Sequence, residues 1–170
     1  MLGKSSVKQI KLWPSLDHAA YRRMIENFAG FKRNGQCIRV IAIDSGMDNT
    51  VGRDQWMASR LEEHVGQQPG LVLLGALHTL KKVNWRVSSG RPSVAELLST
   101  KGLKINSFPQ RWIPDNCKIN GARVSRFVRA DSPEAITLLN ESLMSLINAT
   151  PPNSVKGIVD GFVVWECQNN

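Results

Sequence analysis

The apolar positions of this chain change period repeatedly, and each change marks an element. Tyr21, Met24, Ile25, Phe28 and Phe31 recur at helical spacing, so residues 15–33 are predicted as a helix with one apolar face. Pro14-Ser15 mark its start and Asn34-Gly35 its end. CIRVIAID, residues 37–44, is short, β-branched and nearly continuous in apolar residues, which predicts a strand covered on both faces. Met57, Leu61 and Val65 restore the helical period over residues 53–66. LVLLGAL, residues 71–77, is predicted as a second strand that ends on His78.

The second half of the chain repeats the alternation. Ser93 and Glu96 form a capping-box pair before an apolar stretch, and Gly102 stands where that helix would stop. LKINSF, residues 103–108, is predicted as a strand, and ARVSRFVRA, residues 122–130, as a half-exposed strand or loop edge. Asp131-Ser132-Pro133-Glu134 opens a helix with proline in its first turn and a stripe of Ile136, Leu139, Leu143 and Leu146. GIVDGFVVWE, residues 157–166, is the last predicted strand. Helices alternating with strands imply an α/β fold: a mostly parallel sheet of about four to five strands with flanking helices, in a single domain over residues 1–170.

Composition narrows the class. With 42% apolar and 21% charged residues and no apolar run long enough to cross a bilayer, the chain reads as globular with no membrane role. Lysines without a continuous apolar stretch at the N-terminus argue against a signal peptide, so the cytoplasm is the expected compartment; a lost precursor segment would mean export. Cys37, Cys117 and Cys167 are widely spaced and odd in number, which is expected of free thiols rather than of a disulfide framework or a zinc site.

The net charge of +8 is unevenly distributed, because residues 79–130 carry 11 Lys/Arg against only Glu96 and Asp115. This block suits an acidic partner. No nucleic-acid motif accompanies it, and the five tryptophans are scattered as core or rim residues would be, so nucleic acid is the less favoured partner.

Open α/β sheets present their chemistry beyond the carboxyl ends of the strands. Asp44 closes one predicted strand, His78 another, and Ser107 lies near the end of a third, while Arg53 and Asp54 open the intervening helix. If the strands are neighbours, a carboxylate from Asp44 or Asp54 would orient His78 as a general base. The same set would offer His78 as a metal ligand, with a carboxylate, to zinc or manganese. Arg53 would hold an anionic group or stabilise developing negative charge. Each residue also has a plainer role: His78 bonding the backbone, Asp44 capping a turn, and Asp54 facing the positive end of its helix. His18 and His64 fall in predicted helices without a partner motif and are expected to be structural or surface residues.

The stretch GRDQWMASRLEEHVGQQPGLVLLGALH resembles the second half of the superfamily that joins ChaN-like haem-uptake proteins, erythromycin esterases and the Tiki/TraB proteins. Its Arg-Asp-x-x-Met-Ala helix is matched by Arg53, Asp54, Met57 and Ala58, and its Gly-x-x-His motif by Gly75 to His78. PSVAELLSTKGLKINSFPQRW and VDGFVVWE resemble the elements that follow, so the likeness spans most of residues 30–166. It implies a hydrolase-like domain acting on an ester or amide, with His78 as base or metal ligand, Asp44 and Asp54 orienting it, and Arg53 binding substrate. The earlier half of the family pattern, with its own histidine motif, has no counterpart here. The chain is then expected to be a C-terminal portion of a longer protein, a shortened relative that forms a homo-oligomer or pairs with a second chain, or a form that has lost activity; an open sheet edge invites pairing and favours a partner. Haem is not expected as a cofactor, since the only tyrosine, Tyr21, lies in a predicted helix. The rival expectation is a non-enzymatic binding or assembly module that uses the basic residues 81–129.

Overall fold

The computed structural model describes residues 9–14, 16–44, 51–66, 68–83, 91–112, 123–141 and 153–167. The chain forms two compact units, Met1–Ala42 and Ile43–Asn170.

The first unit is built on α1, Ala19–Arg33. His18 is its N-cap: the ring Nδ1 accepts from the Tyr21 amide at 3.4 Å, which satisfies one of the helix's otherwise unpartnered N–H groups. Asp17 is clamped by the Arg22 guanidinium at 2.5 Å. The helix buries Ile25 and Ala29 against Ile10, Leu12 and Tyr21.

The second unit contains α2 (Arg53–Val65), α3 (Val94–Thr100), β1 (Gln110–Trp112), β2 (Arg123–Arg129), α4 (Pro133–Asn140) and β3 (Gly161–Cys167). Local caps fix the two later helices as their sequences predict. The Ser93 hydroxyl accepts from the Glu96 amide at 3.1 Å, and Ser132 accepts from Ala135 at 3.3 Å with Pro133 in the first turn.

The sheet has three strands in the order β1-β3-β2. The long apolar β3 is central, parallel to β1 over three pairs from Gln110↔Val163 to Trp112↔Trp165. It is antiparallel to β2 over seven pairs from Arg123↔Cys167 to Arg129↔Gly161. One face of this sheet supplies Val128, Phe162 and Val164 to a core shared with Ala135, Leu138 and Leu139 of α4 and with Leu80, Val155, Ile158 and Val159. On the other face Trp112 and Trp165 stack with ring centroids 5.8 Å apart, and Phe108 meets Phe127 edge to face at 5.6 Å. A second core joins Met57, Ala58 and Leu61 of α2 to Val94 and Leu98 of α3, with Ile43, Leu74, Leu103 and Ile105 packed around it.

Helices with a small mixed sheet are an α/β arrangement, but the expectation of a mostly parallel sheet of four to five strands is corrected. Among the described residues, segments 37–44, 71–75 and 103–109 have no regular secondary structure and form no ladder. Leu71 is 85% exposed and Leu73 53%, the reverse of a strand covered on both faces. Apolar content favours extended backbone, but a strand exists only where a neighbour takes up its N–H and C=O groups. The thiol expectation is corrected too: Cys37 is a free, exposed thiol, whereas Cys167 at the end of β3 is disulfide-bonded. The predicted stripe residues Leu143 and Leu146, and Cys117, lie outside the described residues. No described helix is long and apolar enough to cross a membrane.

Candidate functional site

His78 does not end a strand. It sits on a 3-10 turn, Ala76–Thr79, closed by the His78 amide donating to the Gly75 carbonyl at 3.0 Å. The turn points the imidazole at the first turn of α2, where its Nδ1 lies 2.6 Å from Asp54 Oδ1. The same carboxylate oxygen accepts from the Val94 amide at the start of α3, at 3.2 Å. A carboxylate that already accepts one N–H calls for a second donor, so Nδ1 carries the hydrogen and Nε2 presents its lone pair. The His78 and Asp54 side chains are 22% and 32% exposed, and Nε2 makes no hydrogen bond among the described residues. One nitrogen is fixed and the other is available, which is how an oriented base is built.

Asp54 can serve this role because α2 starts abruptly. Its N-cap, Gly52, has a φ of 42° and no side chain to cap the helix. The acidic Asp54 therefore supplies the negative charge in the first turn.

The other carboxylate expected beside His78 goes elsewhere. Asp44 is engaged by Arg53, whose Nη2 lies 2.5 Å from Oδ2 and whose Nε is 3.1 Å from Oδ1. The carboxylate of Asp44 raises the Arg53 pKa above its ordinary value, with partial desolvation opposing and the charge of Asp54 adding to the effect. The Arg53 side chain remains 56% exposed, and its Nη1 has no hydrogen bond among the described residues. The motif residues Met57 and Ala58 are 2% and 1% exposed, so they hold α2 on α3 and do not face a ligand. Gly75 lies against the imidazole: a Cβ there would meet His78 Cδ2 at 3.5 Å.

Among the described residues no group of three or more His, Cys, Asp or Glu side chains could hold an ion, and Asp54 is committed to Nδ1. His18 caps α1, and His64 Nε2 lies 4.0 Å from Glu63 Oε2.

Sequence reasoning missed the other side of the turn. Lys81 Nζ reaches both oxygens of Asp160, at 2.7 and 2.8 Å. Asp160 Oδ2 also accepts from the Ser107 amide at 2.7 Å, and the buried Ser107 hydroxyl donates to the Thr79 carbonyl at 2.5 Å. The signal for these partners was a charge at the end or inside of each apolar run, Lys81 at the start of the Lys81-Lys82 pair that closes one and Asp160 within IVDGFVV.

The basic block is also changed by folding. Lys81 pairs with Asp160, Lys101 with Glu62, Arg126 with Glu134 and Glu166, and Arg129 with Asp131. Every one of those acids lies outside residues 79–130, so much of the linear excess is neutralised in space. Comparison with protein-family models, with curated proteins and with solved structures returns no match to this chain.

Proposed function

We propose that the chain is a hydrolase-like α/β domain, related to the superfamily its motifs resemble, in which Asp54 and His78 form a general-base dyad for ester or amide hydrolysis. The observation that carries this reading is the 2.6 Å contact between Asp54 Oδ1 and His78 Nδ1, with Nε2 left for a reacting proton. His78 Nε2 takes a proton from water as that water attacks the substrate carbonyl, and the imidazolium returns the proton to the leaving alkoxide or amine as the tetrahedral intermediate collapses and its C–O or C–N bond breaks. Asp54 holds the ring in the required tautomer and stabilises the imidazolium that forms. Arg53, fixed by Asp44, offers Nη1 to an anionic substrate group or to the developing oxyanion. The proton transfer uses His78 and Asp54 alone; zinc or manganese would need further donors from outside the described residues.

On this reading the exposed Leu71 and Leu73 belong to a segment that can pair, and a second copy or another chain supplies the neighbour that enlarges the sheet. The enzyme reading is preferred to a basic assembly module because the Asp54–His78 contact is a specific arrangement, while Lys81, Lys101, Arg126 and Arg129 of that block are already engaged by acids within the chain.

The test is hydrolysis of a panel of ester and peptide substrates, wild type beside His78→Ala, each with chelator and with added zinc or manganese. Loss of a general base predicts a fall of about 100-fold or more in kcat. Equal rates in the folded variant would refute the assignment.

A further inference from the structure

The turn that carries His78 is held residue by residue from outside. The His78 ring is bonded by Asp54. The Thr79 carbonyl accepts from Ser107, and the carbonyl of Leu80, which is fully buried, accepts from the hydroxyl of Ser93. The Lys81 amide donates to the Ile158 carbonyl at 2.8 Å, and its ammonium is clamped by Asp160. Asp160 joins two of these braces, since its amide donates to the Ser107 carbonyl at 2.9 Å while its carboxylate accepts from the Ser107 amide.

We propose that Asp160, acting through Lys81 and Ser107, is the positioning residue of the His78 base. The proposal rests on the dyad reading and extends it to Asp160, which lies 53 and 79 positions along the chain from its partners Ser107 and Lys81. The Lys81 side chain is only 16% exposed and Asp160's 33%. An ion pair so placed loses hydration that its mutual attraction does little more than offset, so stability alone is a poor reason for it. What it does supply is a fixed geometry. Lys81 is three residues from His78, and its amide and ammonium are both anchored on the 158–160 segment. The turn therefore has no freedom to rotate the imidazole off Asp54. Residues that orient a functional group from behind typically contribute about 10–100-fold to activity.

The experiment reads the histidine ring directly. In the full chain labelled with 15N, the three histidine rings are assigned by His→Gln variants, and the tautomer of His78 is read from its two nitrogen shifts. Wild type is expected to carry its neutral hydrogen on Nδ1. Asp160→Asn and Lys81→Met are expected to move the population towards the Nε2-protonated form, with kcat down about 10–100-fold and KM changed less than about twofold. Lys81→Arg, which can still grip the carboxylate with two N–H groups, is expected to recover most of the Nδ1-protonated form. If Asp160→Asn fails to fold, Ser107→Ala, which removes only the bond to Thr79, is expected to give the same shift in smaller measure. A wild-type tautomer in the folded Lys81→Met and Ser107→Ala proteins would overturn the proposal. Should wild type hydrolyse nothing in the panel, the hydrolase reading fails, while the ring shifts still decide whether Asp160 positions His78.

Discussion

Asp54 performs three tasks with one carboxylate, and they can be separated. It orients His78 at 2.6 Å, accepts the Val94 amide at 3.2 Å, and places a negative charge in the first turn of α2. Asp54→Asn keeps an oxygen for Val94 but loses the charge. The dipole contribution of about 0.3–1 kcal/mol goes with it, and the bond to His78 weakens from charge-assisted to neutral. Asp54→Ala also strands the Val94 amide, next to a side chain 1% exposed, at about 1–3 kcal/mol for a buried donor. His78 is 22% exposed, so water replaces part of what its ring loses. The expected losses are about 1 kcal/mol for the Asn variant and about 2–3 kcal/mol for the Ala variant. Urea unfolding followed by the fluorescence of the five tryptophans measures both. Hydrolysis should respond differently, falling by a similar factor of about 10²–10⁴ in each, because both variants lose the carboxylate charge that stabilises the imidazolium. An Asp54→Ala protein within about 0.3 kcal/mol of wild type would refute the capping and bridging argument, since that is the scale of an inert surface change.

Two further outcomes follow from the geometry. At Gly161 an added Cβ would lie 2.4 Å from Phe127 Cζ and 2.6 Å from the Val128 carbonyl oxygen, a backbone atom of the paired strand. Gly161→Ala should therefore cost about 1–3 kcal/mol in urea unfolding. Gly75→Ala, with φ at −60° and only ordinary contact with the His78 ring, should cost less than about 1 kcal/mol. For pH, the hydrogen bonds from Arg126 hold the Glu134 carboxyl below its ordinary value of 4.5, against a smaller opposing effect of desolvation. A depressed folded value means that the pair stabilises the fold above pH 4.5 and that this contribution is lost as the pH falls below it. Glu134 is 43% exposed, so the contribution is at most about 1 kcal/mol. The urea midpoints of wild type and Glu134→Gln should thus differ at pH 7 and converge at about pH 3, and a gap that widens in acid would contradict the pairing.

Elements specified by short-range chemistry were legible. Ser93 with Glu96, and Ser132 with Pro133, start α3 and α4 where the sequence places them, because a cap needs only its own first turn. The apolar run within residues 157–166 does become a strand, although pairing begins only at Gly161. The runs at 37–44 and 71–77 have the same local character and join no β-ladder among the described residues. Their fate depends on distant neighbours, and periodicity carries no information about those. The site divides in the same way. Asp54 and His78 were legible as polar residues at predicted element ends, and they do meet. Asp44 was legible as a carboxylate but not as the partner of Arg53, and the Lys81–Asp160 pair spans 79 residues, beyond any local pattern.

The two sides of the imidazole also explain why a base and a metal ligand look alike in sequence. A metal-bound histidine and a general-base histidine both have their far nitrogen held by a carboxylate, so the Asp54 contact alone does not separate them. The difference lies at Nε2, where a metal needs two or more further donors converging on one point and a base needs only an approachable proton. The described acids that a linear reading would recruit are already committed. Asp44 is engaged by Arg53, Asp54 by the ring and Val94, and Asp160 by Lys81 and Ser107. Those commitments rigidify everything behind His78 and leave Nε2 without a protein hydrogen bond among the described residues. That asymmetry, rather than the presence of a histidine near carboxylates, is the physical ground for placing the chemistry on Nε2 as a proton acceptor.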